Sequence, residues 1–207
     1  MEADLSRAAL AVTGRPRSWL PRAISKADAA ALLASCDRRR ALGRRDYAVI
    51  ILLLRLGLRR GEVARCLLDD IDWRAGGLVV RGKGGREDRL PLPGDVGETI
   101  AAYPRRGRPA TARREVFLQA RAPFEPIAPG TVSSTVRRAC RRAGIAEVGS
   151  HRGRHTMACE MVRAHVPLVQ VGQVLRHRSL HSTAIYARVD LDQLRLLATP
   201  WPGSAAR

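Results

Sequence analysis

Two strand-like segments joined by a glycine-rich turn interrupt a chain whose other apolar patterns are helical. Residues 77–81 (GLVVR) and 88–92 (DRLPL) predict an antiparallel β-hairpin, and Lys83 lies at its tip in the turn GKGG. Residues 116–118 (VFL) predict one further short strand. Because helical patterns of apolar residues precede and follow the hairpin, the sequence predicts a mainly α-helical domain with a small antiparallel β-sheet at its edge.

Capping residues and stop signals predict where the helices begin and end. Ser25 is followed three residues later by Asp28, a pattern that favours a helix start. A second helix is expected from about residue 44 to residue 56, where Gly57 ends it. Asp95 is expected to cap the helix that follows the hairpin. The other predicted helices are a short one around Glu62 and segments 129–143, 151–164, 168–175, 183–187 and 191–197.

The chain carries a large excess of positive charge. Lysine and arginine number 37 against 19 aspartate and glutamate residues, a formal net charge of +18 in 207 residues. Such an excess opposes compaction unless a polyanion binds, so nucleic acid is the expected partner. The longest apolar stretch, residues 48–54, is too short to cross a bilayer. With four cysteines expected to be reduced thiols and no secretion signal, the sequence predicts a cytoplasmic, nucleoid-associated protein.

Four separated segments place cationic, imidazole and phenolic side chains in a fixed order. They are residues 57–63 (GLRRGEV), 81–84 (RGKG), 151–155 (HRGRH) and 175–187, which begins LRH and ends AIYA. Each segment alone is common by chance, but the four together, over roughly residues 20–197, resemble the tyrosine site-specific recombinases of the phage-integrase type (Xer- and Cre-like). The resemblance implies the fold of the catalytic domain of that family.

The resemblance also implies an activity, which is the cutting and rejoining of double-stranded DNA through a 3′-phosphotyrosine bond. Attack on a phosphodiester builds negative charge on the non-bridging oxygens, and guanidinium groups suit that charge, so neither a metal nor another cofactor is expected. The arginine and histidine cluster is expected to lower the cost of removing the phenol proton. The implied site comprises the nucleophile Tyr186, the phosphate-binding Arg59 and Arg154, His151 and His177 as hydrogen-bond donors or proton carriers, the general acid Lys83, and Glu62, which orients Arg59.

Three positions near these motifs depart from the family pattern or have no role in it. Gly153 stands where the family usually has a bulky apolar residue, so we expect it to loosen the helix that carries Arg154. Arg176 stands where glycine is more usual. His155 is expected to be structural, either as a packing residue or as a support for a residue of the site.

The chain is expected to be one catalytic domain, residues 23–207, preceded by a tail or linker, residues 1–22. The family normally has an N-terminal core-binding domain that closes around DNA from the opposite face. No such domain is expected here, so a separate core-binding or accessory protein is a candidate partner. Strand exchange in this family implies a homotetramer on paired sites. Two alternatives stay open: a truncated, non-catalytic DNA-binding remnant of a mobile-element integrase, and a type IB topoisomerase, which shares the same chemistry.

Overall fold

The computed structural model describes residues 23–82, 84–177, 181–184 and 186. Helices α1 (Lys26–Ala34), α2 (Ala41–Arg55) and α3 (Arg60–Ala64) precede a sheet of β1 (Ile71–Asp72), β2 (Gly77–Arg81) and β3 (Glu87–Pro91). Helices α4 (Gly94–Arg106), α5 (Pro129–Ala143), α6 (His151–Arg163), α7 (Leu168–Val174) and α8 (His181–Ala184) follow the sheet. The predicted mainly α-helical fold with a small antiparallel sheet is confirmed.

Helix α2 lies at the centre of the packing. Its residues 48–53 are all buried, because aliphatic side chains cover every face of this part of the helix. Helices α1, α3, α4, α5 and α6 pack against it. Two apolar clusters result, a large one that joins α1–α5 to the sheet and a smaller one that joins α6 and α7 to Tyr186. The motif-bearing ends of α2, α6 and α7 therefore lie near one another.

The sheet has one buried face and an exposed turn. Ile71 pairs with Leu78 and Leu78 with Leu90, so these three buried side chains share the face that packs on the core. The β2–β3 turn is closed by a hydrogen bond from the amide of Gly82 to the carbonyl oxygen of Arg86 at 2.7 Å. A Cβ added at Gly84 would meet nothing within 4 Å, so this turn projects from the packed surface.

Most of the predicted helices are present with boundaries close to those expected. The Ser25 hydroxyl accepts a hydrogen bond from the amide of Asp28 at 2.9 Å, which confirms the predicted cap of α1. Gly57 has φ of 57°, so it ends α2 in the left-handed conformation that glycine adopts freely. Segment 129–143 forms α5 as predicted. These features were predictable because each depends on residues that are close in sequence.

Two local predictions are wrong. Pro93, not Asp95, is the N-cap of α4, because its fixed φ already suits a helix start, and Asp95 lies in the first turn. Residues 116–118 form no strand, because the stretch from Glu115 to Leu118 makes only two isolated bridges, each to a different partner: Glu115 pairs with Leu67, and Leu118 pairs with Pro126. The predicted helix at 183–187 overlaps α8 at residues 183 and 184, and residues 185 and 187 lie outside the described residues. The tail at 1–22 and the predicted helix at 191–197 lie outside the described residues.

Two further features of the fold concern its helices and its cysteines. No helix in the part of the chain that the structure describes is long and apolar enough to cross a membrane. All four cysteines are buried, and none of them forms a disulfide bond.

Candidate active site

Arg59 lies where the chain leaves α2 and begins α3. Gly57 makes this junction possible, because it takes a positive φ and because a Cβ there would lie 3.0 Å from Sδ of Met157. The amide N–H of Arg59 donates to Oε2 of Glu62 at 2.8 Å, and Nη1 of Arg59 donates to Oε1 of Glu62 at 2.6 Å. The expected Arg59–Glu62 contact is therefore present, and it holds the guanidinium at the start of the helix.

Glu62 is a buried carboxylate whose neighbours keep it charged. Its side chain is only 3% exposed. Burial by itself raises the pKa of this carboxyl, but the Arg59 amide hydrogen bond and the charges of Arg176 and Arg59 outweigh burial, so the pKa lies below its ordinary value. Glu62 is thus anionic at neutral pH and can hold two guanidinium groups at once.

Arg154 connects three of the motif segments. It is buried in α6, where Nη1 donates to the carbonyl oxygen of Gly57 at 2.8 Å and Nη2 donates to the carbonyl oxygen of Leu175. Those carbonyls follow the ends of α2 and α7. Burial, followed by the charges of Arg59 and Arg176, lowers the pKa of Arg154 to about 10, so the guanidinium remains a cation at neutral pH.

Tyr186 is buried near Arg154. Its side chain belongs to the α6–α7 apolar cluster and is 1% exposed, and its hydroxyl lies 2.7 Å from Nδ1 of His155. Burial raises the pKa of Tyr186 to about 12, although the nearby charge of Arg154 opposes this increase. The expectation of a lowered proton-removal cost is wrong for this arrangement, because desolvation outweighs the positive charges.

His155 contacts the hydroxyl of Tyr186, a partner that the sequence did not identify. Burial, followed by electrostatic interactions with His151 and Arg152, holds the pKa of His155 below its ordinary value, so the imidazole is neutral at pH 7. A neutral imidazole can accept at Nδ1, and the protonated phenol of Tyr186 can donate there. His155 lies four residues after His151, on the same face of α6, and this spacing was the available signal.

His177 lies next to the same tyrosine. Its Nδ1 is 2.6 Å from Oγ1 of Thr183, and its ring is almost parallel to that of Tyr186, with centroids 6.3 Å apart. Gly172 permits this packing, since a Cβ there would lie 2.9 Å from Oγ1 of Thr183. Burial, then the charges of Arg154 and Arg59, lower the pKa of His177 to about 4. His177 is therefore also neutral at pH 7.

A groove of about 420 Å³ opens beside Arg59 and the β2–β3 turn. Its lining comprises five arginines (Arg59, Arg60, Arg65, Arg86 and Arg176) together with Gly61, Glu62, Gly82, Asp88 and His151. Of the predicted site residues that the structure describes, Arg154, His177 and Tyr186 do not line it. Lys83 lies outside the described residues, next to Gly82. The arginines of the groove can bind anionic groups. The described residues contain no cluster of histidine, cysteine, aspartate or glutamate that could hold a metal ion.

Gly153 has a packing role that contradicts the expectation from its sequence context. It lies in α6 against α2, and a Cβ added there would lie 2.6 Å from the carbonyl oxygen of Leu53. Real Cβ atoms essentially never come that close to another heavy atom. The expectation that Gly153 loosens α6 is therefore wrong, because the missing side chain is what lets α6 approach α2.

Comparison with known proteins identifies the family to which this arrangement belongs. The sequence model described as "Phage integrase family" matches residues 22–192. This chain belongs to the phage integrase family. It is 51% identical over 205 residues to the putative integrase/recombinase y4rA of Sinorhizobium fredii, covering 98% of this chain and 50% of that protein. It is 40% identical over 190 residues to y4gC of the same organism, covering 89% of this chain and 98% of that protein.

Solved structures show the same fold as this phage integrase family member. The crystal structure of XerA recombinase superposes with a TM-score of 0.73 at 21% identity, covering 90% of this chain and 67% of that one. The integrase of transposon Tn1549, solved in complex with circular intermediate DNA, gives a TM-score of 0.66 at 18% identity, covering 95% and 69% respectively. At these identities the likeness shows a shared tyrosine-recombinase catalytic fold. This family member spans half the length of y4rA and nearly all of y4gC.

Proposed function

We propose that this chain cleaves and rejoins double-stranded DNA through a 3′-phosphotyrosine intermediate on Tyr186. The observation that carries the proposal is the position of Arg154, whose guanidinium joins the ends of α2 and α7 and so brings the segments of Arg59 and His177 together. The groove of five arginines beside it suits a phosphate backbone. DNA as the partner is further supported by the Tn1549 integrase, whose structure contains DNA.

The arginines supply the charge that phosphoryl transfer needs. Arg59 is held by Glu62 at the groove, and its side chain is 41% exposed, so it is available to the non-bridging oxygens of a bound phosphate. His151 lines the same groove and can donate a further hydrogen bond. Arg154 reaches the phosphate by exchanging a backbone carbonyl for a phosphate oxygen. A developing negative charge between these groups is stabilised without a metal ion.

The proposed covalent step balances in bonds and protons. Oη of Tyr186 attacks phosphorus and the P–O5′ bond breaks, which leaves a 3′-phosphotyrosine and a free 5′ hydroxyl. The phenol proton passes to Nδ1 of His155, which lies 2.7 Å from the hydroxyl in the described arrangement, as Tyr186 leaves this contact for the phosphate. Lys83 is proposed as the acid that protonates the leaving 5′ oxygen, since the neighbouring Gly82 lines the groove. Attack by a 5′ hydroxyl reverses the step without an external energy source.

We infer from the burial of Tyr186 that this arrangement is a resting state. Tyr186 is 1% exposed and does not line the groove, and its raised pKa keeps it protonated. The proposal therefore includes a rearrangement of α8 on DNA binding that brings Tyr186 to the phosphate. A phenol that is neutral at rest is a weak nucleophile, so stray attack on other electrophiles is suppressed.

The proposal is tested with nicked duplexes that trap a covalent adduct. Since the target site is unknown, the substrate is a pool of labelled duplexes with randomised sequence around the nick, incubated with protein in excess EDTA. We expect an adduct that survives denaturant, with the label mapped to Tyr186 by mass spectrometry. Tyr186→Phe should form none while keeping its affinity for the pool, because only the hydroxyl is lost.

Tyr47→Phe provides the matched control, because Tyr47 lies on α2 beside Arg38 and outside the groove. It should form adduct at the wild-type rate. An adduct in the Tyr186→Phe variant would show that the nucleophile is misassigned. DNA binding by wild type without any adduct would instead favour the hypothesis of a non-catalytic DNA-binding protein. The burial of Tyr186 supports that hypothesis.

A further inference from the structure

Arg176 occupies a position where an arginine is conformationally costly. It follows the end of α7 and has φ of 55°. Glycine adopts this left-handed conformation freely, whereas any residue with a Cβ adopts it at a cost in free energy. Its side chain is nevertheless only 4% exposed. A buried guanidinium in a strained backbone conformation persists only where the surrounding structure stabilises it.

The stabilising contact is with Glu62. Nη2 of Arg176 donates to Oε2 of Glu62 at 2.8 Å, the same oxygen that accepts the amide of Arg59. The other oxygen, Oε1, binds Nη1 of Arg59, and Nη2 of Arg59 donates to the carbonyl oxygen of Arg176 at 3.2 Å. Arg176 and Arg59 thus hold each other through one carboxylate and one carbonyl, so the orientation of Arg59 depends on both ends of this cluster.

The cluster has an unmet hydrogen-bond donor. Nε of Arg176 is buried and has no hydrogen-bond partner among the described residues. Arg176 also lines the groove beside Arg59. A buried donor without an acceptor is costly, so the arrangement is incomplete until an acceptor arrives. An oxygen of a bound phosphate is such an acceptor. The cluster suits a phosphate, because its two guanidinium groups outnumber its one carboxylate.

We propose that Arg176 is a positioning residue for DNA cleavage, which fixes Arg59 on the scissile phosphate through Glu62 and completes its own hydrogen bonding when DNA binds. The inference rests on the proposed phosphotyrosine function. It assigns a role to Arg176, which stands at a position where glycine is more usual in the family. Lysine does not replace it fully, because an ammonium group lacks the planar fork that spans Glu62 and a second acceptor.

The test compares Arg176→Gly and Arg176→Lys with wild type on the nicked substrate recovered from the pool. At saturating DNA, we expect adduct formation by Arg176→Gly to slow by about 10- to 100-fold, the range expected when a catalytic group is misplaced. Arg176→Lys should be intermediate. Affinity for DNA should fall modestly in Arg176→Gly, because one groove guanidinium is lost, and little in Arg176→Lys, which keeps the positive charge. Arg39→Gly, which removes an exposed guanidinium outside the groove, should keep the wild-type rate.

A second substrate separates positioning from a merely structural role. A methylphosphonate at the cleaved position removes one negative charge from the phosphate, so an arginine that acts on that charge matters less. The deficit of both Arg176 variants should therefore shrink on this substrate, whereas a folding defect would be equal on both. Melting temperatures are measured alongside, and Arg176→Lys covers the case in which the glycine variant fails to fold.

The outcomes distinguish this inference from the function on which it rests. Wild-type rates in both Arg176 variants, or equal deficits on the two substrates, would overturn the role of Arg176 and leave the phosphotyrosine mechanism standing. A wild-type chain that forms no adduct on any substrate would overturn the proposed function, and the role of Arg176 in cleavage with it.

Discussion

At the crossing of α2 and α6 the carbonyl oxygen of Leu53 faces a residue without a side chain. Any Cβ at Gly153 would lie 2.6 Å from that oxygen and 2.9 Å from its carbonyl carbon. The clash is with backbone, which cannot move aside as the end of a flexible side chain can. Since Arg154 is the next residue, the distance between the two helices also sets where its guanidinium meets the carbonyl of Gly57.

We expect Gly153→Ala to destabilise the protein by about 1–3 kcal/mol, the usual cost of overpacking a close contact. The measurement is the free energy of unfolding in urea. Gly130→Ala is the matched control, because it makes the same change in α5, where an added Cβ meets nothing within 4 Å. That control should be neutral or slightly stabilising. A Gly153→Ala variant as stable as wild type would show that α6 can shift at no cost.

At the scale of the element, two imidazoles link Tyr186 and α8 to helices α6 and α7. His155 on α6 contacts the Tyr186 hydroxyl, and His177 after α7 contacts the Thr183 hydroxyl on α8. Both histidines have pKa values below the ordinary one, mainly because they are buried. The unfolded chain takes up protons at these groups as the pH falls through about 6.5, whereas folded His177 does so only near pH 4.

The stabilising effect of neutral His177 is therefore complete above about pH 6.5 and is lost as the pH falls towards 4. We expect the melting temperature to fall through this window, with a loss on the order of 1–2 kcal/mol after allowance for the partial exposure of the ring. His177→Gln cannot take up the proton, so its stability should depend less on pH between these values. His165→Asn, an exposed histidine after α6, should keep the wild-type slope. Equal slopes in wild type and His177→Gln would contradict this account.

At the scale of the whole molecule, the sequence predicted what depends on local patterns. The hairpin and the helix cap at Ser25 were predictable, because a turn and a cap each depend on residues only a few positions apart. The contact of His155 with Tyr186 and the crossing at Gly153 were not, because both depend on distances between elements that no local pattern encodes. The net charge of +18 predicted a polyanion, and the structure places five arginines along one groove.

The groove is where we expect DNA to bind. Each phosphate neutralised by an arginine releases condensed counterions, so the logarithm of the binding constant falls with the logarithm of salt concentration by about 0.9 per contact. For four or five contacts we expect affinity to fall roughly 10²- to 10³-fold between about 50 and 200 mM salt. Arg65→Gln, on the groove, should reduce the slope by about 1. Arg39→Gln, outside the groove and paired with Asp37, should leave it unchanged. Fluorescence anisotropy on a labelled duplex gives these slopes, and equal slopes for the two variants would show that DNA does not follow the groove.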